Sequence, residues 1–236
     1  MKLRVMTYNI ASGHNYEEDR RQDLAFAQGV IEQYQPDIVG LNEVQENSRV
    51  SQYTSQTQIL AKGLEMYGYF GPALPMNDGL YGNAMLSKFA ASTEVIPIPD
   101  PEVKNEDTYY ETRCLMKNEI QLEQKITVLV THFGLARQEK KNAVETVMRT
   151  LRGIEGPVVL MGDFNALPHD DVIAPLFTVL KDTALITEDP LLSWPSDRPD
   201  RKIDHILVSP QIQVHHVFVP VTRASDHRPY IADIEL

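Results

Sequence analysis

Residues 157–165 read Pro157-Val158-Val159-Leu160-Met161-Gly162-Asp163-Phe164-Asn165. The apolar run Pro157–Met161 reads as a strand buried on both faces. An aspartate and an amide follow it at once. Placing such groups beside apolar chain costs free energy unless they are paired or bind something.

The same pattern recurs along the chain. Asn9 ends a strand-like run over Leu3–Ile10, and Glu43 lies near the end of a second, Asp37–Val44. His132 closes Lys125–His132, Asp204 stands between Ile203 and Ile206, and Asp226-His227 precede Tyr230–Ile234. Eight polar groups at the ends of different strands would converge on one cleft if those ends share a side of the fold.

Between these runs, helical spacing appears at Asp23–Tyr34, with Leu24, Ala27, Val30 and Ile31 on one face and Pro36 behind it. Gln56–Tyr67, Gln138–Leu151 and a short Asp170–Leu180 are further expected helices. Tyr81–Leu86, Thr93–Ile98, Thr112–Ile120 and Ile212–Val219 are further expected strands. Asp189–Arg201, with three prolines, reads as loop. Helices and strands interleave, with many hairpin-like neighbours and no regular strand–helix alternation. The expected fold class is α/β: a four-layer sandwich of two packed mixed β-sheets flanked by helices, as one domain over residues 1–236.

Composition agrees. The 236 residues are 42% apolar and 23% charged, as in globular proteins, which excludes a disordered or collagen-like chain. Lysine and arginine number 22 and the acids 33, a formal charge of −11. Such a chain repels nucleic acid at long range, against a sequence-blind coat for DNA. The single cysteine, Cys114, permits neither an internal disulfide nor a thiolate zinc site. The N-terminus reads as a strand rather than a signal peptide, and no run reaches the length of a membrane span. The expected setting is a soluble, reducing, cytoplasmic one without stable membrane insertion.

The chemistry-bearing types are Glu, Asp, Asn and His. Oxygen donors suit a hard cation such as Mg2+ or Mn2+, and imidazoles among carboxylates suit acid–base or electrostatic work. Ser12-Gly13-His14 and Gly79-Leu80-Tyr81-Gly82 match no phosphate-binding loop, and no nucleophile elbow is present.

Taken in order, Thr7-Tyr8-Asn9-Ile10, Leu41-Asn42-Glu43-Val44, Gly82-Asn83-Ala84-Met85-Leu86-Ser87, Thr131-His132, Gly162-Asp163-Phe164-Asn165, Ile203-Asp204-His205-Ile206 and Ser225-Asp226-His227-Arg228-Pro229 resemble the endonuclease/exonuclease/phosphatase superfamily. Deoxyribonuclease-like metal-dependent phosphoesterases belong to it, and so do neutral sphingomyelinases and inositol-polyphosphate 5-phosphatases. The resemblance spans Thr7 to about Leu236. Residues 193–204 are similar to small bacterial, sphingomyelinase-like members.

The resemblance implies hydrolysis of a phosphodiester or phosphomonoester with Mg2+ or Mn2+, by in-line attack of an activated water. It assigns Glu43, Asn9 and Asp226 to the metal. It assigns Asp163 to the water, Asn165 and His227 to the phosphate, and Asp204 to orienting His227. His132 matches a second histidine of the deoxyribonuclease and sphingomyelinase branches. Arg113, Asn83 and Trp194 are the expected substrate contacts, Trp194 either stacking on substrate or packing its loop onto the body.

Some features depart from the apurinic endonucleases: Ala11 replaces an aspartate and His132 a tyrosine or asparagine, which argues against abasic-site repair. His205 stands where relatives carry an aromatic residue and reads as packing. Arg198, Arg201 and Lys202 read as solvated, and His215 and His216 as pointing to opposite faces of a strand. The expected partner is a phosphoester, whether small molecule, lipid headgroup or nucleic acid. No protein partner is inferable. The alternative activity is a metal-dependent nuclease acting on DNA or RNA; an inert binding module would need a broken site.

Overall fold

The computed structural model describes residues 1–17, 21–105 and 109–236. The expected variable loop Pro99–Asp107 therefore lies partly outside the described residues. In chain order the elements are β1 (Lys2–Asn9), α1 (Leu24–Tyr34), β2 (Ile38–Glu46), α2 (Gln56–Gly63), β3 (Tyr67–Met76), β4 (Gly79–Ser87), β5 (Ala91–Ile98) and β6 (Arg113–Gln121). They continue with β7 (Lys125–His132), α3 (Arg137–Leu151), β8 (Val158–Asp163), β9 (Lys181–Asp182), β10 (Asp204–Val208), β11 (Gln213–Phe218) and β12 (Tyr230–Glu235).

Two six-stranded mixed sheets result, ordered β11-β12-β1-β2-β4-β3 and β5-β6-β7-β8-β10-β9. Each contains one parallel pair at its centre, β1 with β2 and β7 with β8. Parallel neighbours need a crossover, and α1 and α3 supply the two. Both pairs are buried on both faces. Leu3, Val5, Val128, Val130, Val159 and Met161 fill the space between the sheets. Alternate residues Met6 and Tyr8 pack with Ile31 of α1 and Leu60 of α2, while Leu129 and Leu160 pack with Val144 and Val147 of α3. This is the sandwich expected from sequence.

Helix ends follow their caps. The Asp23 side chain accepts from Ala25 N–H at 3.0 Å, and Gln35 ends α1 in the left-handed region before Pro36. Ser55 accepts from Gln58 N–H at 3.0 Å and starts α2.

Three expectations about the fold fail for local reasons. The helix expected over Gln56–Tyr67 stops at Gly63, and Tyr67–Met76 becomes β3. No element is expected over residues 68–75, where Pro72 and Pro75 cannot donate to a ladder, but β3 is a sheet edge, where a missing N–H is tolerated. Asp170–Leu180 forms only a 3-10 segment, Ala174–Thr178. Pro175 cannot donate to a carbonyl one turn back, so an α-ladder is interrupted there. His215 and His216 do not simply alternate, because the β11 register slips between Val214 and His216. Both are exposed, and each meets its own carboxylate: Glu235 at 2.8 Å from His215, Asp233 at 3.8 Å from His216.

Candidate active site

The parallel strands run the same way in each pair, so their C-terminal ends share one edge. That edge carries Asn9, Glu43, His132 and Asp163. Register brings the remaining groups to it: His132 pairs with Asp163 across β7 and β8, and Asp204 with Asp163 across β8 and β10. Asp226 and His227 come from the turn before β12, whose Tyr230 pairs with Thr7. The edge opens into a cleft of about 820 Å3 lined by Glu43, His132, Asp163, Asn165, Asp226 and His227.

Glu43 is aimed there by a bulge. Leu41 pairs with Ala84 and Val44 with Gly82, so Asn42 and Glu43 together oppose Asn83. Glu43 adopts φ 59°, a left-handed conformation that costs a non-glycine residue of order 1 kcal/mol or more. Asn9 sits beneath it. Its Nδ2 donates to Glu43 Oε1 at 2.9 Å and to Asp163 Oδ2 at 3.2 Å, and its Oδ1 accepts from Ala11 N–H.

His227 donates from Nδ1 to Asp204 Oδ2 at 2.8 Å, and its Nε2 is 3.5 Å from Asp163 Oδ2. Burial works against its charged form, but Asp204 and Asp163 outweigh it and raise its pKa to about 10. Asp163 is buried and pushed up to about 7 by desolvation, against the pull of His227.

The second imidazole is the opposite case. Arg113 Nη1 lies 3.0 Å from His132 Nδ1. A guanidinium only donates, so Nδ1 accepts and the ring proton of a neutral His132 sits on Nε2. Burial, with Arg113 and His227 adding to it, pulls the His132 pKa well below its usual value. Its Nε2 is 3.5 Å from Asp163 Oδ2 and 3.2 Å from Asn165 Nδ2. Asn165 holds φ 48°; its N–H donates to Asp163 Oδ1 and its Nδ2 to Phe133 O. Donors on His132 and Asn165 therefore face one another, which is the place for an acceptor atom.

The other candidates are distributed unevenly. Arg113 lines the cleft but is engaged by Glu111 at 2.5 Å as well as by His132. Trp194 lines the cleft half-buried, with the Arg201 guanidinium 5.0 Å from its ring centre. Asn83 is not at the cleft surface. It is 2% exposed, accepts from Asn42 Nδ2 and donates to Cys114 O, so both ends of its amide are occupied one layer below. Lys202 is not solvated: it is buried, 3.7 Å from Asp182 and 3.1 Å from His205 Nδ1. Arg198 and Arg201 are exposed. His205 packs flat on Phe164 and contacts Ala166 O at 2.9 Å.

Asn42 had no assigned role. Its Nδ2 donates to Asn83 Oδ1 and Thr131 O, and its Oδ1 accepts from Asp163 N–H. It ties the strand of Glu43 to the strand of Asp163 across the two sheets. Its signal was an amide placed directly after the apolar start of β2, Ile38–Leu41.

Gly162 sets the other spacing. At φ 149°, a Cβ there would sit 1.8 Å from Thr131 O, next to His132. Gly162→Ala is expected to destabilise by about 3 kcal/mol, the upper end for single substitutions, and to separate His132 from Asp163. A denaturant midpoint equal to wild type would contradict this.

Two groups of residues come into question for a cation. Asp163, Asp204 and His227 bring ligand-type atoms within 4.8 Å of one another. There, however, an imidazolium already neutralises the carboxylates. Glu43 and Asp226 both face the cleft, and Glu43 is raised from its ordinary carboxylate value by desolvation, with Asp226 adding to the effect. Among the described residues Glu43 has one hydrogen bond, from Asn9 to Oε1. Two repelling carboxylates with spare oxygens fit a hard divalent cation.

A model of the Endonuclease/Exonuclease/phosphatase family matches residues 6–227. No curated protein sequence matches. Among solved structures, an endonuclease/exonuclease/phosphatase from Bacteroides vulgatus is similar, with TM-score 0.80, 23% identity and coverage of 100% of this chain and 99% of that one. The Bacteroides thetaiotaomicron mannosyl-6-phosphatase Bt3783 superposes with TM-score 0.79 at 17% identity, covering 99% and 100%. The human Nocturnin catalytic domain with bound sulfate follows at 0.77 and 20%, covering 99% and 94%.

Proposed function

Because the chain belongs to the endonuclease/exonuclease/phosphatase family, whose members hydrolyse phosphoesters, we propose that it hydrolyses a small phosphodiester or phosphomonoester by in-line attack of water. The observation that carries this reading is the convergence of nitrogens on one point. His132 Nε2 and His227 Nε2 each lie 3.5 Å from Asp163 Oδ2, and Asn165 Nδ2 lies 3.2 Å from His132 Nε2. N–H donors with one carboxylate among them suit an anionic tetrahedral group and the water that attacks it.

In this reading Asp163 takes the proton of the water and holds it in line. His227, kept charged by Asp204, donates to a phosphoryl oxygen. His132 donates from Nε2 as a neutral ring, with Arg113 fixing where its proton sits. Asn165 adds an amide donor, and Asn9 holds Glu43 and Asp163 at a fixed spacing. Glu43 and Asp226 would hold the divalent cation, Mg2+ or Mn2+. When bound, it supplies Lewis-acid stabilisation of oxygen charge.

A nuclease is the second reading, favoured by one feature: the Trp194 ring carrying Arg201 at the cleft is a surface on which a base can stack. The charge of −11 weighs against it.

The test is turnover of p-nitrophenyl phosphate, bis-p-nitrophenyl phosphate and supercoiled DNA with Mg2+, Mn2+ or chelator. The expected result is cation-dependent hydrolysis of a small ester without nicking. Nicking sensitive to chelator would promote the nuclease. Hydrolysis indifferent to chelator would remove the metal from the reading.

A further inference from the structure

Beyond Glu43 and Tyr81 the cleft does not end. A second groove of about 400 Å3 adjoins it, sharing Glu43, Tyr81, Glu111 and Asp226 with the first. Its far wall includes His14, Gln45, Met76 and Asn77. The two halves differ in charge. Lys140, Arg113 and Arg201 line the first, together with two histidines; among the described residues no lysine or arginine lines the second.

The second groove also holds an unsatisfied acceptor. Gln45 is 2% exposed, and its Oε1 has no hydrogen-bond partner among the described residues. Its Nε2 meets only Met76 Sδ, at 3.8 Å. A buried acceptor without a donor is costly, and native interiors rarely keep one without a reason. The terminal amide torsion of glutamine is soft, so Oε1 can turn to meet a hydroxyl without moving β2. His14 donates Nδ1–H to Ala11 O at 2.8 Å, so Nε2 of the neutral ring is a second acceptor.

The direction of the reaction says what enters this groove. Attacking and departing oxygens lie in line on opposite sides of phosphorus. Asn9 Nδ2 touches Asp163 Oδ2 on one side and Glu43 Oε1 on the other. With the water held by Asp163 and the phosphoryl group between it and the Glu43 carboxylate, the leaving oxygen would depart on the Glu43 side, where the second groove begins.

We propose that this groove is the leaving-group subsite and takes an uncharged polyhydroxylated alcohol, such as a hexose, rather than a group carrying a further phosphate. The inference rests on the phosphoesterase reading above. Acceptors at Gln45 and His14 receive hydroxyl protons, Tyr81 and Met76 give an apolar wall to the C–H face of a ring, and among the described residues no lysine or arginine lines the groove to pair with a second phosphate.

The test compares kcat/KM for p-nitrophenyl phosphate, a hexose 6-phosphate and a hexose 1,6-bisphosphate in the wild type and Gln45→Leu. Wild type is expected to prefer the 6-phosphate over the bisphosphate by tenfold or more. Gln45→Leu is expected to lower the hexose 6-phosphate value about tenfold more than the p-nitrophenyl phosphate value. Turnover of p-nitrophenyl phosphate with parity between the two sugar esters, or with equal losses in the variant, overturns the subsite and leaves the hydrolase standing. If no ester is turned over with any cation, the hydrolase reading has failed. Saturation-transfer NMR with free glucose and mannose then decides the groove. Transfer lost in Gln45→Leu supports it, and no transfer to the wild type overturns it.

Discussion

Asp163→Asn is expected to lower turnover by between about a hundredfold and ten-thousandfold, with the circular dichroism spectrum unchanged. Asp163 Oδ1 accepts from Asn165 N–H at 2.8 Å and Oδ2 from Asn9 Nδ2 at 3.2 Å, with both active-site imidazoles 3.5 Å from Oδ2. An asparagine keeps the shape but offers one acceptor oxygen and adds donors where donors already point. It also cannot take a proton from water. The acid limb of the pH profile carries the same information. Burial pushes the Asp163 carboxyl up to about 7. The base works ionised, so kcat/KM is expected to fall as pH drops through that region. A cation beside it favours the ionised form, so the limb should move to lower pH as Mn2+ is raised. Near-wild-type turnover in the variant, or a limb that persists in it unchanged, would place the base elsewhere.

The two histidines explain why one aspartate can be held in this way. They have the same side chain, are both buried and reach the same oxygen, yet end in opposite charge states. Asp204 on Nδ1, with Asp163, keeps His227 a cation against its burial; burial, with Arg113 on Nδ1 adding to it, keeps His132 a neutral donor. Charge is thus supplied on one side of Asp163 and hydrogen-bonding direction on the other. Deleting Asp204 or Arg113 would disturb the site without touching a reacting atom.

The gathering of polar residues at strand ends was legible because their placement after apolar runs is costly. Asp163 after Val158–Met161 and Glu43 after Ile38–Leu41 stand out in any reading of hydrophobic pattern. What joins them was not legible. The Asn42–Asn83–Thr131 network lies between residues far apart in sequence, and pattern reports burial, not partners. For the same reason Asn83 reads as a substrate contact when its amide is occupied below the cleft. Lys202 sits in a run of charged and proline residues that looks solvated. Only the pairing of β9 with β10 brings Asp182 close enough to hold it inside. Prolines hid β3, because sequence does not say which strand will lie at an edge.

Glu43→Gln is expected to lower activity at least a hundredfold and, in chelator, to leave the protein as stable as wild type or more so. The wild-type carboxyl is desolvated and repelled by Asp226, and both effects raise its pKa. It also occupies a left-handed bulge position, so the backbone is bent to present a charge where charge is unfavourable. Glutamine keeps an oxygen that can accept from Asn9 and removes the repulsion, so the metal-free site relaxes. The cation reverses the comparison. At a hundred times Kd, binding adds about 2.7 kcal/mol to the folded state, which for a chain of this size is a rise in Tm on the order of 5–10 °C. Wild type should show that rise with Mn2+ and Glu43→Gln should lose most of it, with a weaker Mn2+ isotherm by calorimetry. An undiminished shift in the variant would move the cation away from Glu43, and the Asp163–Asp204–His227 group would become the place to look.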